Sequence, residues 1–173
     1  GAAVIVEIAT GDILVLATAP RYENAQLSSS YKELVDDPKR PLENRAIRNA
    51  YPPATGSVFK VLVSIYALEQ GVIDENTQFY CRGYLHNPQS FRCTHTHYEV
   101  KLIEAVAGSC NVYFYKVGEM LGMKQLAECA NIFGFGERVQ LGLPEEYRGQ
   151  VPSRARNSSI GESRMMGIGQ IMT

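Results

Sequence analysis

Residues 57–70 read SVFKVLVSIYALEQ, and no other part of the chain constrains the fold as strongly. Val58, Val61, Leu62, Ile65 and Leu68 recur at spacings of three and four, while Phe59, Val63 and Tyr66 fill another face. The spacing predicts a helix over this run, with Gly71 as its stop. A helix that is apolar nearly all round has no side to give to water, so it must be buried, with other elements packed around it. The chain has the material for such a core. Its 173 residues are 45% apolar and 20% charged, the balance of one folded domain rather than of a disordered segment. Its 17 basic and 18 acidic side chains leave a net charge of −1, which offers no footprint for nucleic acid or an anionic membrane surface.

The elements around this helix follow from pattern and punctuation. GAAVIVEIATGDILVLATAP reads as two apolar strands about a Thr10-Gly11-Asp12 turn. Such continuous strands are expected where both faces are covered, and a lone hairpin is marginal in water, so this one calls for further sheet partners. No apolar stretch is long enough to span a bilayer. The chain opens directly on the hairpin and closes on GIGQIMT, inside an apolar pattern, so both ends read as cut from a longer protein. Residues 20–53 are polar, with short helical pieces around Pro38 and Pro41, and read as an irregular connection. Residues 74–98 read as loop. Helices are expected at about 100–107, 112–121 and 124–133, followed by Gly134-Phe135-Gly136 and a polar segment to Pro152. The class is α+β: an N-terminal β-hairpin plus a helical subdomain, with the remaining sheet strands missing.

Ser57 and Lys60 share one face of the first helical turn. A serine there can be a simple cap, and a lysine can snorkel out of an apolar helix. Against that reading, a capping box wants Glu or Gln where Lys60 stands, and the helix has almost no polar face for the lysine to reach. The chemical reading is an activated nucleophile: the helix N-terminus favours a developing alkoxide, and a desolvated lysine loses its proton and can accept the serine's. Ser109-Cys110-Asn111, in a junction between two expected helices, is by itself an ordinary polar cap, but it also supplies a hydroxyl that can relay a proton and an amide that can hold a substrate amide.

Cys81, Cys93, His95, His97 and Cys110 crowd into about thirty residues. Three thiolates and an imidazole make a closed tetrahedral zinc set. A Cys81–Cys93 disulfide with Cys110 as a small buried hydrophobe is the other reading. Cys129 lies on an apolar helical face and reads as core. GESRM at 161–165 nearly matches a nucleophile elbow, but Met165 replaces the second glycine and no strand precedes it.

Taken in order, these segments resemble the transpeptidase domain of class B penicillin-binding proteins, most closely the rod-elongation type. The likeness is carried by the opening hairpin, NRAI before YPPATGSVFKVLVSIYALEQG, AVAGSCNVYFYKVGEMLG and FGFGERVQLGLPEEYRGQVP. It implies a penicillin-binding/serine β-lactamase-like fold and a serine D,D-transpeptidase, inhibited by β-lactams, that cross-links peptidoglycan stem peptides. Ser57 would be the nucleophile, Lys60 the general base, Ser109 the proton relay and Asn111 the substrate-amide holder. Elongation-type relatives hold a metal behind the active site, which carries over to Cys81, Cys93, His97 and Cys110, with His97 preferred to His95. The implied setting is the outer face of a bacterial cytoplasmic membrane, anchored by a segment not in this chain, beside a membrane-embedded glycosyltransferase complex. Three departures stand out. The family's Lys-Thr-Gly motif is absent, so residues 1–173 form a partial domain expected to be inactive alone. Ala54-Thr55 lengthen the approach to Gly56-Ser57, after Pro52 and Pro53 as stiffeners. Ile171 stands where a glycine is common. Rival readings are a serine β-lactamase or penicillin sensor and, from another class, a non-catalytic cell-wall interaction module.

Overall fold

The computed structural model describes residues 1–48, 54–144, 146–152 and 158–171. Pro52 and Pro53 lie outside them. The chain divides into two compact units, residues 1–52 with 138–148, and residues 53–137 with 149–173.

The first unit holds an antiparallel hairpin, β1 (Ala2–Val6) and β2 (Ile13–Thr18), in register Ala2↔Thr18 through Ile5↔Val15. Its loop is wider than the expected turn. The Glu7 N–H donates to the Asp12 carbonyl and the Gly11 N–H to the Glu7 carbonyl, while the Thr10 hydroxyl bonds both acidic side chains. The sheet has two strands, and Val4, Ile5, Val6 and Leu14 are 48–62% exposed. Among the described residues these two strands form a sheet by themselves, as expected for a hairpin whose further sheet strands are missing. Two short helices follow, α1 (Gln26–Ser29) and α2 (Tyr31–Asp36).

In the second unit a 3₁₀ turn, Gly56–Val58, leads into α3 (Phe59–Glu69). The helix ends in a Schellman arrangement: the Val72 N–H reaches the Ala67 carbonyl, the Gly71 N–H reaches that of Leu68, and Gly71 adopts φ +63°. Its buried side is Phe59, Lys60, Val63, Ser64, Tyr66 and Ala67. The stripe picked out by spacing points the other way, with Val58 74%, Val61 47% and Ile65 50% exposed and only Leu62 packed against the core. A helix apolar on all sides carries no moment to say which side is inward, and here the aromatic side won.

Residues 74–98 are not loop throughout. They form β3 (Phe79–Cys81), β4 (Tyr84–Asn87), β5 (Ser90–Arg92) and the start of β6 (Tyr98–Val100), paired β3–β6 and β4–β5. Strands of three or four residues are too short to show a period. Next come α4 (Leu102–Ala107) and α5 (Asn111–Ile132), the latter broken at Gly122, where φ is 69° and ψ 167°. That break accounts for two separate helical patterns in the sequence. GESRM lies inside α6 (Ile160–Gly167), opened by a Ser159/Glu162 capping box, with Ser163 buried, which removes the elbow reading. Helices α5 and α6 cross almost in backbone contact: a Cβ on Gly118 would sit 2.5 Å from the Ser163 carbonyl oxygen, and one on Gly167 would sit 2.5 Å from that of Phe114. The core of the unit gathers Phe59, Val63, Tyr113, Phe114, Val117, Leu126 and Met166, each fully or almost fully buried, with Cys129 among them. Among the described residues no helix is long and apolar enough to cross a membrane.

Candidate active site and metal centre

The junction between α4 and α5 is three residues long, and each residue closes a helix or opens one. Helix α4 ends in a second Schellman arrangement, with the Cys110 N–H on the Ala105 carbonyl and the Ser109 N–H on that of Val106. This puts Ser109 at the position where glycine is usual, and its φ is 50°, in the left-handed region. Cys110 is then the N-cap of α5, and Asn111 its first residue. A non-glycine residue held in this strained conformation is a mark of a site that needs the side chain.

That side chain connects the two expected motifs. Ser57 is exposed in the 3₁₀ turn, whereas Lys60, the second residue of α3, is 2% exposed. The Lys60 ammonium donates to the Ser109 carbonyl at 2.8 Å, the Ser109 Oγ at 2.9 Å and the Asn111 Oδ1 at 2.6 Å, and lies 5.6 Å from the Phe114 ring centre. The Ser109 hydroxyl in turn bonds the Ser57 Oγ at 3.0 Å. Ser57 and Lys60 are thus joined through Ser109. Two of the lysine's three partners, a carbonyl and an amide oxygen, can only accept; the hydroxyl can accept or donate. The same shell therefore fits the ammonium with its three donors and the neutral amine with two donors and a lone pair. Burial lowers the Lys60 pKa from the ordinary lysine value, opposed in part by the nearby Cys93 and Cys110 sulfurs.

Asn111 is oriented by a carbonyl on its far side. Its Nδ2 donates 3.1 Å to the Arg92 carbonyl oxygen, leaving Oδ1 for Lys60. The nucleophile turn is clamped separately. The Gly56 N–H and the Thr55 hydroxyl both donate to the Gly169 carbonyl, at 2.9 and 3.2 Å. Thr55, one of the two residues that lengthen this loop, is therefore part of the clamp.

Behind the elbow, the ligand atoms of Cys81, Cys93, His97 and Cys110 lie within 4.8 Å of one another. The His97 Nδ1 is 3.5 Å from the sulfurs of Cys81 and Cys93, and the Cys93 and Cys110 sulfurs are 3.9 Å apart. A tetrahedron with arms of about 2.3 Å to sulfur and about 2.05 Å to nitrogen has edges of about 3.8 and about 3.6 Å, so this set can hold a tetrahedral metal ion. The His97 Nε2 faces the Gly108 carbonyl at 3.1 Å; a carbonyl can only accept, which fixes the proton there and turns the Nδ1 lone pair to the sulfurs. The His95 ring stands beside that of His97, 6.2 Å away and outside the cluster. All four cysteines are free thiols, which leaves no Cys81–Cys93 bridge. The hydrogen bond between the Cys93 and Cys110 sulfurs holds Cys93 well below the usual thiol range and pushes Cys110 up. Backbone N–H groups of Gly83 and Asn111 also point at sulfur, at 3.4 Å to Cys81 and 3.1 Å to Cys93. The carbonyls of Arg92 and Gly108 and these two N–H groups are the parts that residue types could not reveal, because main-chain groups are the same at every position.

A serine in the turn that opens α3 and a buried lysine at the start of that helix, closed by a Ser-x-Asn elbow, have the arrangement that serine–lysine acyl transfer requires. The profile of the Penicillin binding protein transpeptidase domain matches residues 1–173, and the chain belongs to that family. It is 33% identical to the peptidoglycan D,D-transpeptidase MrdA of Acinetobacter baumannii over 98% of this chain, and 30% identical to FtsI of Escherichia coli over 100% of it. The chain spans 28% of the length of each. Its fold is similar to that of Pseudomonas aeruginosa PBP2, with a TM-score of 0.87 and 33% identity over 99% of this chain and 43% of that one.

Proposed function

We propose that this chain carries the nucleophile and base of a peptidoglycan D,D-transpeptidase, and that the hydrogen-bonded path Ser57–Ser109–Lys60 is its proton route. With Lys60 neutral, the Ser57 proton moves to the Ser109 Oγ as the Ser109 proton moves to the Lys60 Nζ, and the Ser57 Oγ forms a bond to the carbonyl carbon of the penultimate D-Ala. The oxyanion is received in part by the Ser57 N–H. When the tetrahedral species collapses, the C–N bond to the terminal D-Ala breaks and Lys60 passes its proton through Ser109 to the leaving amine. An amine from a neighbouring strand then attacks the acyl-enzyme and gives its proton through Ser109 to Lys60; as the ester C–O bond breaks, Lys60 returns that proton through Ser109 to the Ser57 oxygen. Asn111 keeps one Nδ2 hydrogen for the substrate amide, since Arg92 takes the other. β-Lactams acylate Ser57 by the same attack; penicillin-binding protein A from M. tuberculosis, 30% identical over 98% of this chain with a TM-score of 0.79, has been described as an imipenem acyl-enzyme complex.

Cys81, Cys93, His97 and Cys110 would hold a structural zinc ion. Bound there, it would supply rigidity, with Cys110 on the elbow that carries Ser109 and Asn111 joined to Cys81 of β3 and to Cys93 and His97 after β5. The Lys-Thr-Gly strand belongs to another part of the protein, as does an anchor that keeps the enzyme at the outer face of the cytoplasmic membrane. The setting is a complex with a membrane-embedded glycosyltransferase, supported by the 31% identical relative in a peptidoglycan synthase complex that couples polymerization and crosslinking, and by Helicobacter pylori PBP2 in complex with MreC.

The unbroken path from Ser57 to Lys60 carries this reading. Fluorescent penicillin tests it in the full-length protein: one long-lived covalent label per chain is expected, lost in Ser57→Ala. Rapid release of hydrolysed β-lactam would make the protein a β-lactamase, and failure of the wild type to label would leave a non-catalytic module.

A further inference from the structure

We propose that Tyr115 is a positioning residue for Asn111, acting through the carbonyl of Arg92; the inference rests on the transpeptidase reading above. An asparagine amide is nearly symmetric in shape, and only its partners tell the oxygen from the nitrogen. Lys60 needs Oδ1, at 2.6 Å, and the far side is read by the Arg92 carbonyl, which accepts Nδ2–H at 3.1 Å. A flipped amide would set donor against donor at Lys60 and acceptor against acceptor at Arg92. The position of the Arg92 oxygen therefore decides how firmly Asn111 faces the lysine.

That oxygen is held from two directions. The Tyr115 hydroxyl donates to it at 3.1 Å, taking its second lone pair. Asn111 and Tyr115 are four residues apart, on one face of α5, so both donors reach the same atom. Tyr115 is 4% exposed, and burial raises its phenol pKa, which keeps the hydroxyl a donor. From the strand side, Phe91, the residue before Arg92, has φ 51°, a left-handed conformation that phenylalanine adopts only under constraint. The constraint is visible. Its ring meets the Tyr115 ring edge-on at 5.3 Å, and the Arg164 guanidinium covers it at 4.8 Å while pairing with Glu119 at 3.1 Å. Ring and hydroxyl of Tyr115 thus act on consecutive residues, the ring against Phe91 and the hydroxyl on the Arg92 carbonyl.

The test resolves the non-covalent dissociation constant from the acylation rate constant by stopped-flow with a fluorescent penicillin, in the full-length protein. Tyr115→Phe should lower the acylation rate constant about tenfold at an unchanged dissociation constant and urea midpoint. Tyr115→p-aminophenylalanine, which keeps an N–H donor at that reach, should return the rate to within twofold. In an Asn111→Ala background, Tyr115→Phe should change the rate less than twofold, because the residue it positions is gone. A rate within twofold of wild type for Tyr115→Phe, the same tenfold loss in the Asn111→Ala background, or failure of Tyr115→Phe to fold would each overturn the proposal. A wild-type protein that takes no label would instead overturn the transpeptidase reading beneath it.

Discussion

Ser109 stands where a Schellman helix end ordinarily places glycine, so replacing it should reverse a familiar rule. At most positions alanine is favoured over glycine by about 0.5–1 kcal/mol, because glycine loses more backbone freedom on folding. In the left-handed region an L-residue carries a cost of about 1–2 kcal/mol from its Cβ. Ser109→Gly and Ser109→Ala both lose the hydroxyl that bonds Lys60 and Ser57, so that loss cancels between them. What remains is the Cβ. The Ser109→Gly variant should therefore be the more stable of the two by about 0.5–1 kcal/mol, the difference between those opposing terms. Urea unfolding at equal slope measures this as a higher midpoint. Penicillin labelling should fall by about 10²–10⁴-fold in both, the range for losing a positioned proton-transfer group. An alanine variant as stable as the glycine variant would refute the strain argument, and labelling at the wild-type rate in either would refute the relay.

Lys60→Arg should abolish labelling while keeping the charge, because a guanidinium does not release its proton; a labelled variant would remove Lys60 as the base. In the wild type the acylation rate should rise with pH as Lys60 deprotonates, with a midpoint below the ordinary lysine value, since burial lowers its pKa; a midpoint at or above that value contradicts the buried base. Gly169→Ala should cost several kcal/mol and most of the labelling, because a Cβ there, at φ +73°, meets the Gly56 oxygen at 2.3 Å; urea midpoints and label counts report both losses. Purified protein should carry about one zinc per chain by elemental analysis, and chelation should lower both the melting temperature and the labelling rate; metal-free protein with two fewer free thiols would favour a bridge.

The legible parts of this chain were those in which residue type and spacing carry the chemistry. Ser57 with Lys60, and Ser109 with Asn111, could be read because hydroxyl, amine and amide are scarce groups at helix ends. Helices α3, α4 and both halves of α5 followed from their apolar spacing, and Gly71 from its place after α3. The inward face of α3 was not legible, because Val58, Val61 and Ile65 are as apolar as Phe59 and Val63. The short strands between Phe79 and Val100 escaped because they take their order from pairing with one another, and their Cys, His and Gly residues look like loop. Helix α6 escaped because its close approach to α5 runs through the backbone around Gly167, which has no hydrophobic signature.

The elbow at residues 109–111 also bears on how the sequence can change. Ser109 ends one helix, Cys110 starts the next while turning its sulfur to the Cys/His cluster, and the Asn111 N–H reaches Cys93 while its side chain reaches Lys60. There is no spare residue among the three. An insertion or deletion of one position would disturb a helix end, a ligand and the lysine's partner together, so drift here is confined to exchanges at constant length. Resistance to a β-lactam would accordingly have to arise from residues around this elbow rather than from the elbow itself.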